Sequence, residues 1–173
     1  MKLGRALAVL VAGSLAVACQ TSPRPVYHVE RARSFSQSDD AIWNEILRFL
    51  EANDIRATRA DRASGTILAE RKDYQDAGWA ECEIGWVIDN TSNSRRRGRP
   101  RPVDRDLVLA IAVEESAGAT TVTVDARFEE EQIDPFRNLP FDRPCRSKGV
   151  LESALLNALG GAAGAPAAAT GGG

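Results

Sequence analysis

The sequence has few of the side chains that most often carry out chemistry in proteins. Its 173 residues include one histidine, one methionine and three cysteines, and aromatic residues make up 6% of the chain. The single histidine, His28, has no serine, cysteine or carboxylate motif beside it that would mark it as a general base. The chain also lacks a nucleophile elbow, the spacing of zinc ligands and a phosphate-binding loop. We therefore predict that it is not an enzyme and that it has no catalytic residue, metal or cofactor.

The chain also lacks a long apolar run at its N-terminus. The uncharged stretch from Ala6 to Ala16 is too short to cross a bilayer, because a spanning helix needs about 20 apolar residues. It follows Lys2 and Arg5 and ends in small residues before Cys19. A basic start, an apolar run of roughly 7–15 residues and small residues are the order found in a secretory signal peptide. The sequence thus predicts an exported protein.

The segment Leu15-Ala16-Val17-Ala18-Cys19 resembles the lipobox of bacterial lipoprotein precursors. The resemblance implies cleavage before Cys19, a diacylglyceryl group on its sulfur and acylation of the new amino terminus. It also implies the outer membrane, on the periplasmic face, because Gln20 stands where aspartate marks retention in the inner membrane. An ordinary signal peptide cleaved after Ala18 is the alternative, and it leaves Cys19 as a thiol.

Length and composition divide the chain into four segments. We expect a signal peptide at residues 1–18, a lipidated tether at 19–26, a single domain at 27–160 and a flexible tail at 161–173. The tether contains two prolines, which favour an extended chain, and the tail holds only Gly, Ala, Pro and Thr. Without Lys2 and Arg5, 20 basic and 24 acidic residues remain, a formal net charge of −4. We therefore expect a membrane partner through the lipid and no nucleic acid.

Two cysteines remain beyond the lipobox, Cys82 and Cys145. An even pair in an exported protein favours a disulfide. Such a bond closes a loop of about 64 residues and contributes on the order of 4 kcal/mol in the chain-entropy model. The alternative is two buried thiols.

The order of hydrophobic patterns is typical of an α+β domain. We predict a curved antiparallel sheet of five to six strands, with a long N-terminal helix and a C-terminal helix packed on one face. The predicted strands are residues 27–36, 55–61, 66–71, 80–89, 107–115 and 120–131, and the predicted helices are residues 38–53 and 147–159. Between the last strand and the last helix, residues 135–145 are predicted to form a loop.

With the lipobox, the helix at 38–53 and the turn Asp61-Arg62-Ala63-Ser64-Gly65-Thr66-Ile67 resemble a known domain. It is the helix-grip domain of the lipoprotein component of the outer-membrane β-barrel assembly machinery. The resemblance covers residues 27–160, one domain where that component has two, and it transfers no functional residue. It implies a non-catalytic accessory or scaffold in an outer-membrane assembly.

Positive charge is concentrated between residues 90 and 106, a segment predicted to be a long loop. Its basic residues are Arg95, Arg96, Arg97, Arg99, Arg101 and Arg105. The functional interpretation is a site for envelope proteins or anionic lipid, of which Arg95, Arg96, Arg97, Arg99 and Arg101 are the candidate residues. The alternative is a solvated loop without a partner.

The sequence is also compatible with two further functions. One is a periplasmic carrier that holds an apolar ligand between helix and sheet, with Trp43, Trp86 and Phe128 lining the cavity. The other is an enzyme of the cell wall or of lipids, which the missing motifs make the weakest of the three.

Overall fold

The computed structural model describes residues 25–74, 78–83, 85–90 and 95–161. Within these ranges the chain is an α+β domain with a large antiparallel sheet and two helices, which confirms the predicted class. The proposed lipobox, Cys19, Ile84 and the tail beyond residue 161 lie outside the described residues. The helices are α1 (Asp39–Ala52) and α2 (Val150–Gly161). The strands are β1 (Ala32–Phe35), β2 (Arg56–Asp61), β3 (Thr66–Arg71), β4 (Ala80–Glu81), β5 (Val87–Asp89), β6 (Arg96–Gly98), β7 (Arg101–Ser116), β8 (Ala119–Ile133) and β9 (Pro140–Ser147).

The sheet is built around the long hairpin of β7 and β8. Its strand order is β2-β3-β7-β8-β9-β4, and β1 lies beside β8 as the seventh strand. β1 and β9 share one side of β8, because β1 pairs with residues 120–123 and β9 with residues 128–133. β5 and β6 form a separate two-stranded sheet. The main sheet thus has more than the five to six strands predicted.

One face of the sheet packs against both helices. Helix α1 begins after Ser38, whose side chain accepts a hydrogen bond from the Ala41 amide, and ends at Asn53, as the capping pattern predicts. Paired residues in β3, β7 and β8 point to the same side and are buried with the apolar faces of the helices. Among the buried residues are Ile67, Leu109, Ile111, Val122, Val124, Phe128, Ile42, Ile46, Leu50, Leu151, Leu155 and Leu159.

The strand predicted at residues 80–89 is wrong. Only its two ends pair, β4 with β9 and β5 with β6. Between these ends the described residues form no strand pairs: Cys82 is joined to Cys145 of β9, and Gly85 lies against the side chain of Arg143. Trp86 and Ile88 lie on the apolar side of this alternating segment, a pattern that predicts burial, but both are exposed. Alternation alone could not distinguish a sheet strand from a segment that crosses over a sheet.

The loop predicted at residues 135–145 is also wrong over its second half. Residues 140–147 form β9, in spite of Pro140 and Pro144. Over most of its length β9 pairs only with β8, since β4 reaches only Arg146 and Ser147. An edge strand accommodates proline where no partner strand needs the missing N–H.

The turn between β2 and β3 is anchored to the sheet by Gly65. The Gly65 carbonyl accepts a hydrogen bond of 2.8 Å from the Val113 amide, and its φ is +64°. Asp61, at the start of the turn, accepts hydrogen bonds from the amide and hydroxyl of Ser64 and from the amide of Ala63. These hydrogen bonds lower the pKa of the Asp61 carboxyl. β2 and β3 pair as a hairpin, which confirms the strands predicted at residues 55–61 and 66–71.

We expect Gly65→Ala to lower the free energy of unfolding by at least about 2 kcal/mol. A Cβ there overlaps the Val113 carbonyl oxygen, and the left-handed backbone adds about 1 kcal/mol of strain. Gly118 is the matched control, because its φ is +79° but nothing lies within 4 Å of an added Cβ. Gly118→Ala should cost only about 1 kcal/mol. Urea denaturation of both variants checks this, and equal losses would contradict the role of the close approach to Val113.

Candidate functional site: the arginine hairpin

The candidate arginines are gathered on a small projecting hairpin and the strand that follows it. β5 and β6 pair in antiparallel register, with Val87 opposite Gly98 and Asp89 opposite Arg96. We call residues 86–90 and 95–101 the arginine hairpin. The predicted long loop is therefore partly regular structure. All five candidate residues are exposed: Arg95, Arg96, Arg97, Arg99 and Arg101.

The arginine hairpin is packed against the turn that follows β8. A Cβ built on Gly98 would lie 2.6 Å from Cγ of Pro135 and 2.9 Å from Cζ of Phe136, so the two segments approach closely. The guanidinium carbon of Arg96 lies 5.1 Å from the centre of the Phe136 ring. A cation over an aromatic face is attracted by the ring quadrupole. Only a residue without a side chain fits at position 98. Glycine there allows the backbone of the hairpin to lie in direct contact with the turn.

Large apolar side chains are exposed at the same end of the molecule. Trp86 is 55% exposed, Ile88 41%, Val103 42% and Leu139 59%. Val103 lies at the irregular start of β7 opposite the end of β8, and Leu139 immediately precedes β9. Sequence reasoning missed this grouping because it placed Trp86 and Ile88 inside.

A buried polar cluster lies on the inner face of the sheet, beside the segment that leads into the arginine hairpin. Glu130 is fully buried; Nε of Arg105 donates to one carboxylate oxygen at 2.8 Å, and Nε2 of Gln132 donates to the other at 2.7 Å. The same Gln132 nitrogen is 3.5 Å from the Glu83 carbonyl oxygen. Among the described residues, Oε1 of Gln132 and Nε of Arg143 are buried without a hydrogen-bond partner. Arg105, included in the predicted basic segment, therefore serves an internal pair.

The predicted disulfide between Cys82 and Cys145 is present. Cys145 lies opposite Phe128 in the pairing of β9 with β8, one step from Glu130 on the same face. The bond therefore holds the segment at Cys82 over the buried polar cluster.

Negative charge collects beside this end of the sheet. A groove of about 310 Å³ is lined by Lys72, Asp73, Asp104, Asp106, Glu129, Glu131 and Asp142. Burial raises the pKa of the Asp104 carboxyl, and the charges of Asp73 and Asp106 raise it further. Positive and negative charge are thus separated into neighbouring surfaces.

Traced back from β1, the N-terminal segment lies along β8 and reaches the side chain of Arg146 on β9. The Val124 amide donates to the Arg31 carbonyl at 2.7 Å, and Nη1 of Arg146 donates to the Pro25 carbonyl at 3.4 Å. Between this segment and β9 lies an open groove of about 750 Å³, lined by Val26, Tyr27, Val29, Arg31, Asp125, Ala126, Arg127, Phe128, Glu129, Pro144, Cys145, Arg146, Ser147 and Pro25. The chain therefore enters the domain beside the middle of β8.

The other residues considered from the sequence are dispersed. Of the three proposed to line a ligand cavity, Trp43 and Phe128 are buried in the core and Trp86 is exposed. His28 is exposed in the N-terminal segment. Glu81 pairs with Arg146 across β4 and β9 at 2.9 Å.

Neither helix in the described part of the chain has the length and apolarity that spanning a bilayer requires. No protein-family model matches the chain, and no curated protein matches it. Among solved structures, the chain is similar to a DUF4468 family protein from Bacteroides ovatus, at 15% identity and a TM-score of 0.29. The match covers 64% of this chain and 58% of that one, so the chain spans less than two thirds of that protein's length. A likeness at this level assigns neither a family nor a function.

Proposed function

We propose that this protein is a non-catalytic lipoprotein of the bacterial outer membrane, anchored by Cys19 with its domain on the periplasmic face. In this proposal the domain is a helix-grip-like scaffold or accessory in an envelope assembly. Lipid chains on one residue hold it at the membrane, since each buried methylene contributes about 0.8 kcal/mol and two or more chains make attachment firm.

The distribution of the three cysteines is the observation that supports this proposal most directly. Cys82 and Cys145 are joined to each other, which accords with an oxidising compartment outside the cytoplasm. That leaves Cys19, which directly follows the apolar run and its small residues. The position of the unpaired cysteine is the one that lipidation requires.

The test is the mass and location of the exported chain. We expect the purified protein to begin at Cys19 and to carry the added mass of acyl chains, and to sediment with outer membranes. Cys19→Ser should abolish the added mass and remove the mature protein from the outer-membrane fraction. Cys82→Ser with Cys145→Ser is the matched control, because it changes cysteines but should leave the anchor in place. A native chain that retains residues 1–18, or that begins at Cys19 without lipid, would contradict the proposal.

A further inference from the structure

We propose that the outer face of the arginine hairpin is a second membrane contact, which binds the anionic head groups of a phospholipid surface. The proposal rests on the proposed function for its location, because it takes the membrane to be the one that holds the anchor. The contact itself depends only on residues of the folded domain.

The register of β5 and β6 defines which side chains share this face. Ile88 is opposite Arg97, and the guanidinium carbon of Arg99 lies 5.0 Å from the ring centre of Trp86. Val87 and Gly98 alternate with these residues and face the turn at Pro135 and Phe136. The outer face therefore presents Trp86, Ile88, Arg97 and Arg99 together.

The arginines of the hairpin are not neutralised by the domain. In the described part of the chain no salt bridge involves Arg95, Arg96, Arg97, Arg99 or Arg101, although arginines elsewhere pair with nearby carboxylates, such as Arg33 with Glu30 and Arg146 with Glu81. Guanidinium groups bind phosphate oxygens through two parallel hydrogen bonds. The hairpin thus offers several cations to an external anion.

The apolar side chains distinguish a membrane surface from a soluble anion. Tryptophan is favoured at the boundary between head groups and acyl chains, where its ring is apolar and its N–H remains hydrated. Ile88 lies on the same face of the hairpin as Trp86, and Val103 and Leu139 are exposed at the same end of the molecule. Cations beside exposed aromatic and aliphatic side chains are the composition of segments that lie in a membrane interface.

The position of the N-terminal segment brings the same surface within reach of the anchor. Pro25 is six positions after Cys19, so the link between them spans at most about 20 Å. Pro25 contacts Arg146 near one end of β9, and the other end of β9 at Pro140 adjoins the turn that supports the hairpin, about 20 Å away. Lipid on Cys19 and head groups at the hairpin can therefore belong to one membrane surface.

Fluorescence of Trp86 tests the contact on the full exported chain. Trp43 and Trp79 are buried, so brominated lipid acyl chains should quench mainly Trp86. We expect quenching on vesicles that contain phosphatidylglycerol, and its loss on phosphatidylcholine vesicles. We also expect its loss in about 1 M salt, where screening shortens to about 3 Å. Trp86→Phe should remove the quenched signal.

Paired charge reversals identify the surface. Arg97→Glu with Arg99→Glu should abolish the quenching that depends on anionic lipid. Arg56→Glu with Arg59→Glu, exposed on β2, makes the same charge change away from the hairpin and should leave the quenching intact. Equal loss in both variants, or equal quenching on neutral and anionic vesicles, would overturn the proposal. Cross-linking from position 86 to an envelope protein without lipid quenching would overturn it in favour of a protein partner.

The mass of the same preparation separates this result from the anchor. A chain without lipid that is still quenched on anionic vesicles contradicts the proposed anchoring and supports the hairpin contact. A lipidated chain whose Trp86 is not quenched contradicts the hairpin contact alone.

Discussion

Replacing Cys82 and Cys145 together by serine is expected to lower the free energy of unfolding by about 4 kcal/mol. The bond joins residues 63 apart in sequence, so it removes much conformational freedom from the unfolded chain. It also holds the chain over the inner face of the sheet, where Gly85 lies against Arg143. Urea denaturation of the variant and of the wild type under reducing conditions measures the effect.

The reduced wild type is the internal control for this prediction. It should unfold at the same urea concentration as the double serine variant, because both lack only the covalent link. A variant as stable as the oxidised wild type would show that the noncovalent contacts of residues 82–86 suffice to hold the segment. The intact bond should also protect the buried polar cluster from solvent, which hydrogen exchange of the Glu130 amide would report.

Replacing Glu130 by alanine is expected to cost about 3 kcal/mol, at the lower end for breaking a buried ion pair. The side chain of Glu130 is fully buried whereas that of Arg105 is 30% exposed, so water reaches only one partner. Alanine would leave the guanidinium of Arg105 and the amide of Gln132 without the carboxylate that they share. The desolvation of these two groups without a partner, more than the lost attraction, sets the size of the effect.

Glu129 is the matched control for Glu130. It is the adjacent residue on the opposite, exposed face of β8, so Glu129→Ala should change stability by less than about 0.5 kcal/mol. Adding Arg105→Ala to Glu130→Ala should cost less than the sum of the single variants, because no uncompensated cation then remains. Equal losses for Glu129→Ala and Glu130→Ala in urea denaturation would contradict a buried role for Glu130.

The parts of the fold that could be predicted are those whose local pattern and tertiary environment agree. Helix α1 has a cap at Ser38 and apolar residues at helical spacing, and its buried face is the predicted one. In β8, Val122, Val124 and Phe128 alternate with polar residues and point to the core as expected. Such segments are covered by one partner layer, so their burial can be read from periodicity.

The parts that could not be predicted depend on contacts distant in sequence. Strand β9 contains Pro140 and Pro144, which disfavour a strand until its place at an edge is known. Residues 82–86 alternate like a strand in the sequence, but the position of Cys82 follows from its link to Cys145, and that of Gly85 from the space beside Arg143.

The positive charge of the candidate site could be predicted from the sequence, but its hairpin structure and its exposed apolar residues could not. The five arginines were visible in sequence, but their pairing as a hairpin depends on the close approach of Gly98 to Pro135 and Phe136. The exposure of Trp86 beside Arg99 could not be foreseen, because an apolar residue in an alternating run is normally buried. Glu130 continues the inward alternation of Val122, Val124 and Phe128, but its sequence neighbours Glu129 and Glu131 suggest a solvated acidic run.

The length of the β7–β8 hairpin sets the distance between the arginine hairpin and the opposite end of the sheet. Its residue pairs run from Arg101 opposite Ile133 to Ser116 opposite Ala119, a length of about 50 Å at the rise of an extended chain. The tight turn at Ala117 and Gly118 is thus at the far tip from the arginine hairpin. With the arginines on a bilayer and the strands perpendicular to it, that tip would lie about 50 Å from the membrane surface. The domain would then act as a spacer. A protein that binds the turn at Ala117 and Gly118 would be held at a fixed distance from the lipid surface.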